Sequence, residues 1–389
     1  MSNRSNKTHR SYIIVPMRPM GPIVFIRKAE YDHSRLRPVI FEIMDATIGR
    51  TIQKDSRVVI KPNLLAPAPP DMAITTHPMI VRAAAEYVIE KGAKPQISDS
   101  PAVGSFEKIL KESGIREALD GLDVEFREFR ETVTVDVGKP FEQINIARDA
   151  VDADVLINLP KLKTHTQMLL TLGVKNLFGC IVGMKKPEWH LRAGADREMF
   201  ARLLVKIFQA VRPSVTILDS ILATQGQGPG KSGEPRELGI IMGSSDTLAI
   251  DNTVCRMLGI RPDELLTNRI SAELGLSDDD ISIDGDLPRI NDYKFPEITP
   301  VVFGPKRLHG FMRRHLVQRP VCDDSMCKLC GECWKYCPAR AITKSGKKLR
   351  FDYDKCIRCY CCIEVCPHAA LSAHETMTGK ISRKLLKLK

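Results

Sequence analysis

Apolar runs of strand length alternate with segments of helical periodicity through residues 22–304 of this 389-residue chain. Most of the runs are continuous stretches of Val, Ile and Leu, which is typical of strands buried on both faces. The pattern therefore predicts an α/β fold, in which a mainly parallel sheet carries helices on both faces. The predicted strands are 22–26, 58–63, 94–98, 124–129, 154–161, 215–219, 238–242 and 299–304, and the predicted helices are 36–52, 78–91, 196–211, 247–258, 306–318 and one that begins at Phe106.

The sequence divides into five predicted segments, of which the one at 321–371 is set by the cysteine spacing described below. An α/β domain at 22–304 follows a basic, poorly ordered tail at 1–21. A basic linker helix at 305–320 leads to a small α+β unit at 321–371, and a second basic tail occupies 372–389. No window approaches the roughly 18 uninterrupted apolar residues of a membrane span, so no span is expected.

Ten of the twelve cysteines lie between Cys322 and Cys366. Eight of them form two runs of the pattern C-x2-C-x2-C-x3-C-P, which is the ligand pattern of bacterial-type ferredoxins with two 4Fe–4S clusters. In such proteins the fourth cysteine of each run ligates the other cluster. We therefore predict one cluster held by Cys327, Cys330, Cys333 and Cys366, and a second held by Cys356, Cys359, Cys362 and Cys337.

Zinc is the alternative for paired C-x2-C motifs, because a structural zinc site takes four such ligands. Eight evenly repeated cysteines with two Cys-Pro ends fit clusters better. Their ligand spacing also argues against a secreted disulfide scaffold and favours a reducing, cytoplasmic setting. Cys180 and Cys255 are expected to be small core residues, and Cys322 and Cys361 lie outside the ligand pattern.

The net charge of +11 is concentrated at the two ends of the chain. Residues 1–28 hold six basic and no acidic residues, and residues 372–389 hold five basic residues and one acidic. The body is therefore close to neutral, and no platform of interleaved aromatic and basic residues indicates a nucleic-acid partner. We expect solvated tails, with peripheral contact to a membrane or an acidic redox partner as the alternative.

Polar residues cluster where the predicted strands end, which is the edge of an open α/β sheet at which ligands bind. Ammonium and amide groups there suit a carboxylate or a phosphate, and crowding can depress the pKa of one lysine for use as a base or nucleophile. Solvated loop charges, and helix capping by Asp99, are the alternatives. The predicted catalytic residues are Lys161, Lys163 and His165, and the predicted substrate-binding residues are Lys61, Asn63, Asp99, Ser100, Lys175 and Asn176.

Several motifs occur in an order and spacing that match a known family. They are IKPNL at 60–64, TTHP at 75–78, SDSPAVG at 98–104, NLPKLKTH at 158–165, GVKNLFG at 173–179 and the segment 246–251. In these residues the chain resembles the family described as domain of unknown function 362. The resemblance implies an α/β domain and, as in many members, a C-terminal dicluster ferredoxin module. It implies no settled activity.

Three functions fit these features. The first is an iron–sulfur redox protein that passes low-potential electrons through both clusters to or from an anionic substrate or cofactor in the α/β domain, as an oxidoreductase would. The second is a non-enzymatic electron carrier or assembly factor whose α/β domain docks a redox partner protein. The third is a redox-neutral enzyme with structural clusters, because fold and cofactor alone do not determine activity.

Overall fold

The structure is a computed structural model that describes residues 21–183, 185–193, 196–277, 280–296 and 317–378. The predicted strand at 299–304 and nearly all of the predicted linker helix lie outside the described residues, as do most of the two basic tails. None of the helices in the described ranges combines the length and the apolar composition that a membrane crossing requires.

The strands of the α/β domain come first in the chain, and four short strands belong to a C-terminal unit at residues 317–378. The strands are β1 (Ile23–Lys28), β2 (Arg57–Pro62), β3 (Lys94–Ile97), β4 (Glu125–Phe126), β5 (Thr132–Gly138), β6 (Glu142–Ala147), β7 (Val155–Leu159), β8 (Lys161–His165), β9 (Leu169–Thr171), β10 (Val215–Gly226), β11 (Gly233–Ser244), β12 (Ser282–Asp284), β13 (Arg319–Cys322), β14 (Ile342–Ser345), β15 (Lys348–Phe351) and β16 (Leu371–His374).

Most of the helices connect strands of the α/β domain, and the last two lie in the C-terminal unit. The α-helices are α1 (His33–Ile48), α2 (Pro78–Glu90), α3 (Phe106–Glu112), α4 (Ile115–Ala118), α5 (Arg148–Val151), α6 (Gly173–Asn176), α7 (Lys185–Ala193), α8 (Arg197–Val211), α9 (Thr247–Met257), α10 (Leu266–Glu273), α11 (Glu332–Lys335) and α12 (Cys361–Glu364).

One large sheet organises the α/β domain. Its strand order is β12-β1-β11-β10-β7-β2-β3-β4, with β8 beside β10 and β9 beside β8. The pairings of β11 with β1 and β10, and of β8 with β9, are antiparallel, and the other pairings are parallel. The prediction of a mainly parallel sheet is therefore confirmed.

Alternate residues of the central strands pack on opposite faces of this sheet. In β2, Val58 and Ile60 join the core cluster that contains helices α1 and α2, whereas Val59 joins the cluster that contains α8. Because successive side chains of a strand point to opposite faces, a strand covered on both sides must be apolar throughout. This explains the continuous apolar runs and confirms helices on both faces.

The boundaries differ from the predicted ones where polar residues continue a buried strand. Strand β10 extends to Gly226, well beyond the predicted end at Asp219, because Ser220 and Thr224 are buried with hydrogen-bond partners. The hairpin of β5 and β6 has no counterpart among the predicted strands. The predicted strand at 124–129 is reduced to the two residues of β4.

A buried ion pair fixes β8 against β10. The Lys161 Nζ–Asp219 Oδ2 distance is 2.8 Å, the two residues are paired in register, and both side chains are fully buried. Asp219 also accepts hydrogen bonds from the Tyr31 hydroxyl at 2.7 Å and from the His77 backbone N–H at 2.9 Å. The carboxylate thus joins β10, β8, the start of α2 and the segment before α1.

We predict that Asp219→Ala lowers the free energy of unfolding by about 3–5 kcal/mol, because it leaves the Lys161 ammonium buried without a counter-charge. Urea unfolding followed by far-ultraviolet circular dichroism measures the change. The control is Asp123→Ala, which breaks the exposed ion pair with Lys94 and should leave the unfolding midpoint unchanged. Equal midpoints for the two variants would contradict the structural importance of the buried pair.

Candidate functional site

The first cysteine group is a set of four thiols around a small cavity in the C-terminal unit. Cys327, Cys330, Cys333 and Cys366 all line this cavity. Burial raises the pKa of Cys333, and the proximity of Cys366 and Cys330 raises it further. The backbone N–H of Ala370 donates to the Cys366 sulfur at 3.3 Å. The last cysteine of the second run therefore lies with the first three of the first run.

The second cysteine group is formed in the reciprocal way. Burial raises the pKa of Cys362 well above its ordinary value, and Cys359, Cys356 and Cys337 add to the effect as close neighbours. The backbone N–H of Ala341 donates to the Cys337 sulfur at 3.2 Å, as Ala370 does in the first group. Hydrogen bonds of this kind stabilise a thiolate that ligates iron.

These two groups are the arrangement that crossed ligation of two 4Fe–4S clusters needs. The four thiols of the first group line one cavity, and in the second group Cys359, Cys356 and Cys337 act electrostatically on Cys362. Each group also contains a backbone N–H that bonds to a sulfur. The residues present therefore fit the predicted cofactor, and the role of each cysteine as a ligand stays a prediction. Cys180 and Cys255 are buried in the α/β domain, as expected of core residues, and Cys361 is buried in contact with Cys359 of the second group.

The C-terminal unit packs on the α/β domain through α12 and the residues before it. The His165 Nε2–Glu364 Oε1 distance is 3.0 Å, and the Gln167 side chain donates to the Arg358 carbonyl at 3.3 Å. A Cβ atom on Gly230 would lie 3.0 Å from the Glu364 carbonyl oxygen. The turn after β8 and the loop between β10 and β11 therefore form a docking surface.

A cavity, here called the junction pocket, lies where the two parts of the chain meet. Six of the nine predicted pocket residues line it, and residues of the C-terminal unit close it from the other side. The α/β domain contributes Asn63, Asp99, Ser100, Lys163, Thr171, Lys175, Asn176, Phe178, Lys186 and His190, and the C-terminal unit contributes Tyr336, Cys361, Glu364 and Val365.

The other three predicted residues lie elsewhere. Lys61 is behind the wall of the pocket and forms a fully buried ion pair with Asp99, with an Nζ–Oδ1 distance of 3.0 Å. His165 contacts Glu364 at the edge of the pocket. Lys161 does not line the pocket, because Asp219 and Tyr31 hold its ammonium group inside the sheet. The structure therefore separates Lys161 from Lys163, although both are buried in β8.

Close backbone packing supports the ion pair behind the pocket wall. A Cβ atom on Gly179 would overlap Asp99 Oδ1 and Lys61 Nζ, so the GVKNLFG segment can only pass there with glycine at this position. Asp99 also accepts backbone hydrogen bonds from Leu64 at 3.0 Å and from Ser100 at 2.9 Å. One carboxylate thus positions the residues that follow β2 and β3.

A chain of side-chain amides holds Lys163 in the pocket. The Asn176 amide donates to Asn158 Oδ1 at 2.8 Å, and the Asn63 amide donates to Asn176 Oδ1 at 2.9 Å. The Lys163 ammonium donates to Asn63 Oδ1 at 2.7 Å and to the Ile74 carbonyl at 2.8 Å. Two of its three N–H groups are therefore occupied, which fixes the direction of the third.

The short helix α6 presents Lys175 and Asn176 to the pocket. Both oxygens of Asp251 accept backbone hydrogen bonds at its start, from Gly173 at 2.8 Å and from Val174 at 3.1 Å. Burial raises the pKa of Asp251 to about 7, although these two bonds oppose the effect. Segment 246–251, one of the motifs on which the family resemblance rests, thus supplies the carboxylate that positions α6. That carboxylate does not line the pocket.

The charges in the pocket are buried and interdependent. Burial lowers the pKa of Lys163 well below its ordinary value, and the neighbouring Lys175 lowers it further. Burial also lowers the pKa of His165 and of His190 to about 4, so both imidazoles are neutral at pH 7. Burial alone would raise the pKa of Glu364, but His165 and Lys175 hold it down to about 2.

Several pocket residues were missed by the sequence analysis. Lys186 and His190 lie on α7, a polar helix whose sequence has no apolar stripe that would predict a buried face. In the structure the Lys186 ammonium donates to the Ser100 carbonyl at 2.6 Å. Glu364 lies between Cys362 and Cys366, where the ligand pattern treats intervening residues as spacers. The KK pair at 185–186 was the available signal for α7.

Comparison with known proteins places this geometry in a family. A family model described as domain of unknown function (DUF362) matches residues 58–256, and a model described as a 4Fe-4S dicluster domain matches residues 319–367. The thylakoid-associated protein sll1697 of a Synechocystis species is 35% identical over 305 residues, which cover 76% of this chain and 95% of that protein.

Shorter matches concern iron–sulfur subunits. Pyruvate synthase subunit PorD of Thermotoga maritima is 41% identical over 56 residues, which cover 14% of this chain and 57% of that subunit. The delta subunit of the NADH-dependent phenylglyoxylate dehydrogenase of Aromatoleum evansii is 35% identical over 49 residues, 13% of this chain and 53% of that subunit.

The prediction of two 4Fe–4S clusters is confirmed by the dicluster match and the PorD relatives, and with it an electron-transfer role for the C-terminal unit. The resemblance stated from the sequence motifs is confirmed as well, because the DUF362 model covers half of the chain and a relative aligns over three quarters of it. The chain therefore belongs to the DUF362 family and carries a C-terminal 4Fe–4S dicluster domain.

Proposed function

We propose that this protein is an oxidoreductase that exchanges electrons with a small anionic substrate or cofactor in the junction pocket. The observation that carries the proposal is the composition of the pocket walls. Lys163 and Lys175 stand on one side, and Cys361 and Glu364 stand on the other. Because Cys361 and Glu364 belong to α12, which also contains the predicted ligand Cys362, a guest in the pocket lies next to the second cysteine group.

The polar groups of the pocket support an anionic guest. Thr171 Oγ1 is buried without a hydrogen-bond partner, and the Lys175 ammonium has no hydrogen-bond partner among the described residues. A buried polar group without a partner, as Thr171 is, costs about 1–3 kcal/mol, whereas Lys175 is half-buried. A carboxylate or phosphate that accepts from Thr171, Lys163 and Lys175 would remove this cost.

When bound, the clusters supply single electrons at low potential. The residues of the chain hold the guest, balance its charge and exclude water. Lys163 is fixed by Asn63 and the Ile74 carbonyl, so its remaining N–H points in a set direction at little further entropic cost. An acceptor that gains an electron becomes more negative, and preorganised cations at its site stabilise that charge.

An electron carrier is the second candidate, and the short matches favour it. PorD and the phenylglyoxylate dehydrogenase delta chain are named as subunits of larger enzymes. In this version the C-terminal unit delivers electrons to a redox partner protein and the α/β domain supplies the surface that docks it. The two candidates differ in whether a small molecule occupies the junction pocket.

We place the protein in a reducing, cytoplasmic compartment. All of its cysteines are free thiols in the structure, and thiolate ligation of iron requires that they stay reduced. Peripheral contact with a membrane surface is the second arrangement, since the relative with the longest alignment given above is named as thylakoid-associated.

We predict that a screen of small carboxylates and phosphates against the cluster-loaded protein, under anaerobic conditions, finds a compound that raises its melting temperature. Ligand at one hundred times its Kd adds about 2.7 kcal/mol to stability. The same compound should reoxidise clusters that dithionite has reduced, as measured by the return of visible absorption. Lys163→Met should abolish both effects, because it removes a donor whose loss the pocket cannot replace.

The matched control is Lys185→Met, because Lys185 is exposed and pairs with Glu188 on the surface. It should bind the compound as the unaltered protein does. If no compound stabilises the protein, and a co-purified partner protein reoxidises the clusters, the oxidoreductase proposal fails and the carrier is supported.

We predict that a series of substitutions at Gly230 weakens docking in proportion to side-chain size. The Cβ atom of Gly230→Ala would lie 3.0 Å from the Glu364 carbonyl and requires only a small shift, whereas Gly230→Val and Gly230→Leu require α12 to move away. Hydrogen–deuterium exchange of the α12 amides should accelerate from Ala to Leu, and stabilisation by the pocket compound should decline in the same order.

The visible spectrum of the clusters is the internal control for this series, because the C-terminal unit itself is not altered. A series in which exchange rates stay constant while the compound still binds would contradict the role of this loop as a docking surface.

A further inference from the structure

The two cysteine groups differ in their surroundings. Cys330 of the first group is exposed, whereas no cysteine of the second group is, and Cys359 and Cys362 are buried. The first group also lines a groove together with Lys231, Glu364 and His368. The second group is connected through α12 to the junction pocket. One group therefore faces solvent and the other faces the pocket.

We propose that electrons cross this protein in a fixed spatial order, with the first cysteine group as the outer terminal, the second as the inner terminal, and Lys175 as the residue that sets the reduction potential of the inner terminal. The proposal rests on the proposed function only for the use of the pocket. It requires the two clusters but not the identity of any guest.

The position of Lys175 is fixed by the α/β domain. It is carried by α6, whose start is held by both oxygens of Asp251, and the next residue, Asn176, donates to Asn158. Its ammonium faces the pocket, and the charge and polar groups opposite it are Glu364 and Cys361 of α12. A half-buried ammonium is thus held beside the helix that contains Cys362.

The charge of Lys175 acts on the inner terminal through a short path. Cys361, which lines the pocket with Lys175, is hydrogen-bonded to Cys359 of the second group. Reduction adds one negative charge to the second cysteine group, and a nearby cation stabilises the reduced state. Lys163 is less available for this role, since two oxygen acceptors already bind its ammonium.

Glu364 provides a test of opposite sign. Its carboxylate lies on α12 itself, is half-buried beside His165 and Lys175, and also lines the groove of the first group. Its negative charge opposes reduction of the inner terminal, so its removal should raise the potential that loss of Lys175 lowers. Two substitutions in one pocket thus have predicted effects in opposite directions.

The experiment is a redox titration of the cluster-loaded protein, followed by electron paramagnetic resonance and without any added guest. Lys175→Met should lower one midpoint potential by at least about 59 mV. For a one-electron couple this is a tenfold decrease in the equilibrium constant of reduction. Glu364→Gln should raise the same midpoint. Lys185→Met, which removes an exposed ammonium on α7, should change neither.

A soluble paramagnetic relaxation agent identifies the terminals. It should broaden the signal of the outer cluster more strongly, and that signal should be the one whose midpoint Lys175→Met leaves unchanged. Should Lys175→Met fail to load clusters, Lys175→Gln repeats the test, and Lys175→Ala repeats it if neither loads.

Equal shifts of both midpoints, no shift of either, or a shift confined to the broadened signal would overturn the proposal. The result is separable from the proposed function, because the titration contains no substrate. If one midpoint potential shifts selectively but the pocket screen finds no compound, the proposed spatial order is supported and the proposed oxidoreductase function is not.

Discussion

A buried ammonium group requires a counter-charge or a set of oxygen acceptors, and the interior of this protein is arranged around that requirement. Lys61 is paired with Asp99 and Lys161 with Asp219, each inside the sheet or directly behind it. Lys163 is bound by an amide oxygen and a carbonyl, and Lys186 by the Ser100 carbonyl. Lys175 differs from these four, because its compensating charge comes from Glu364 in the other part of the chain.

This arrangement makes the pocket a property of the docked molecule. Without α12, Lys175 would lose the neighbouring carboxylate, and the side of the pocket formed by Tyr336, Cys361 and Glu364 would be open to water. Without the α/β domain, Glu364 would lose His165 and Lys175, which hold its pKa near 2. Each part therefore satisfies charges of the other, which favours the packing seen here over independent units.

Local patterns predicted what depends on local spacing. The cysteine runs identified the cofactor because ligation of a cluster needs thiolates a few residues apart, and the continuous apolar runs identified the sheet because both of its faces are covered. Lys161–His165 was predicted as a polar segment leaving a strand, whereas it is the fully buried strand β8. A lysine in a strand looks solvated in sequence, and only its partner, 58 residues away for Asp219, shows that it is buried.

The pocket, too, depends on contacts between residues that are far apart in the sequence. Six residues of its α/β wall were predicted because they follow strands that end at one edge of the sheet, but that rule also included Lys161, whose ammonium is held elsewhere. Glu364 could not be predicted, because a residue between two ligands is indistinguishable from a spacer until its contact with His165 is known. That contact places a carboxylate and the predicted ligand Cys362 on one short helix beside Lys175. A change of charge on one side of the pocket therefore acts on the other, since Lys175 and Glu364 are both half-buried and line one cavity.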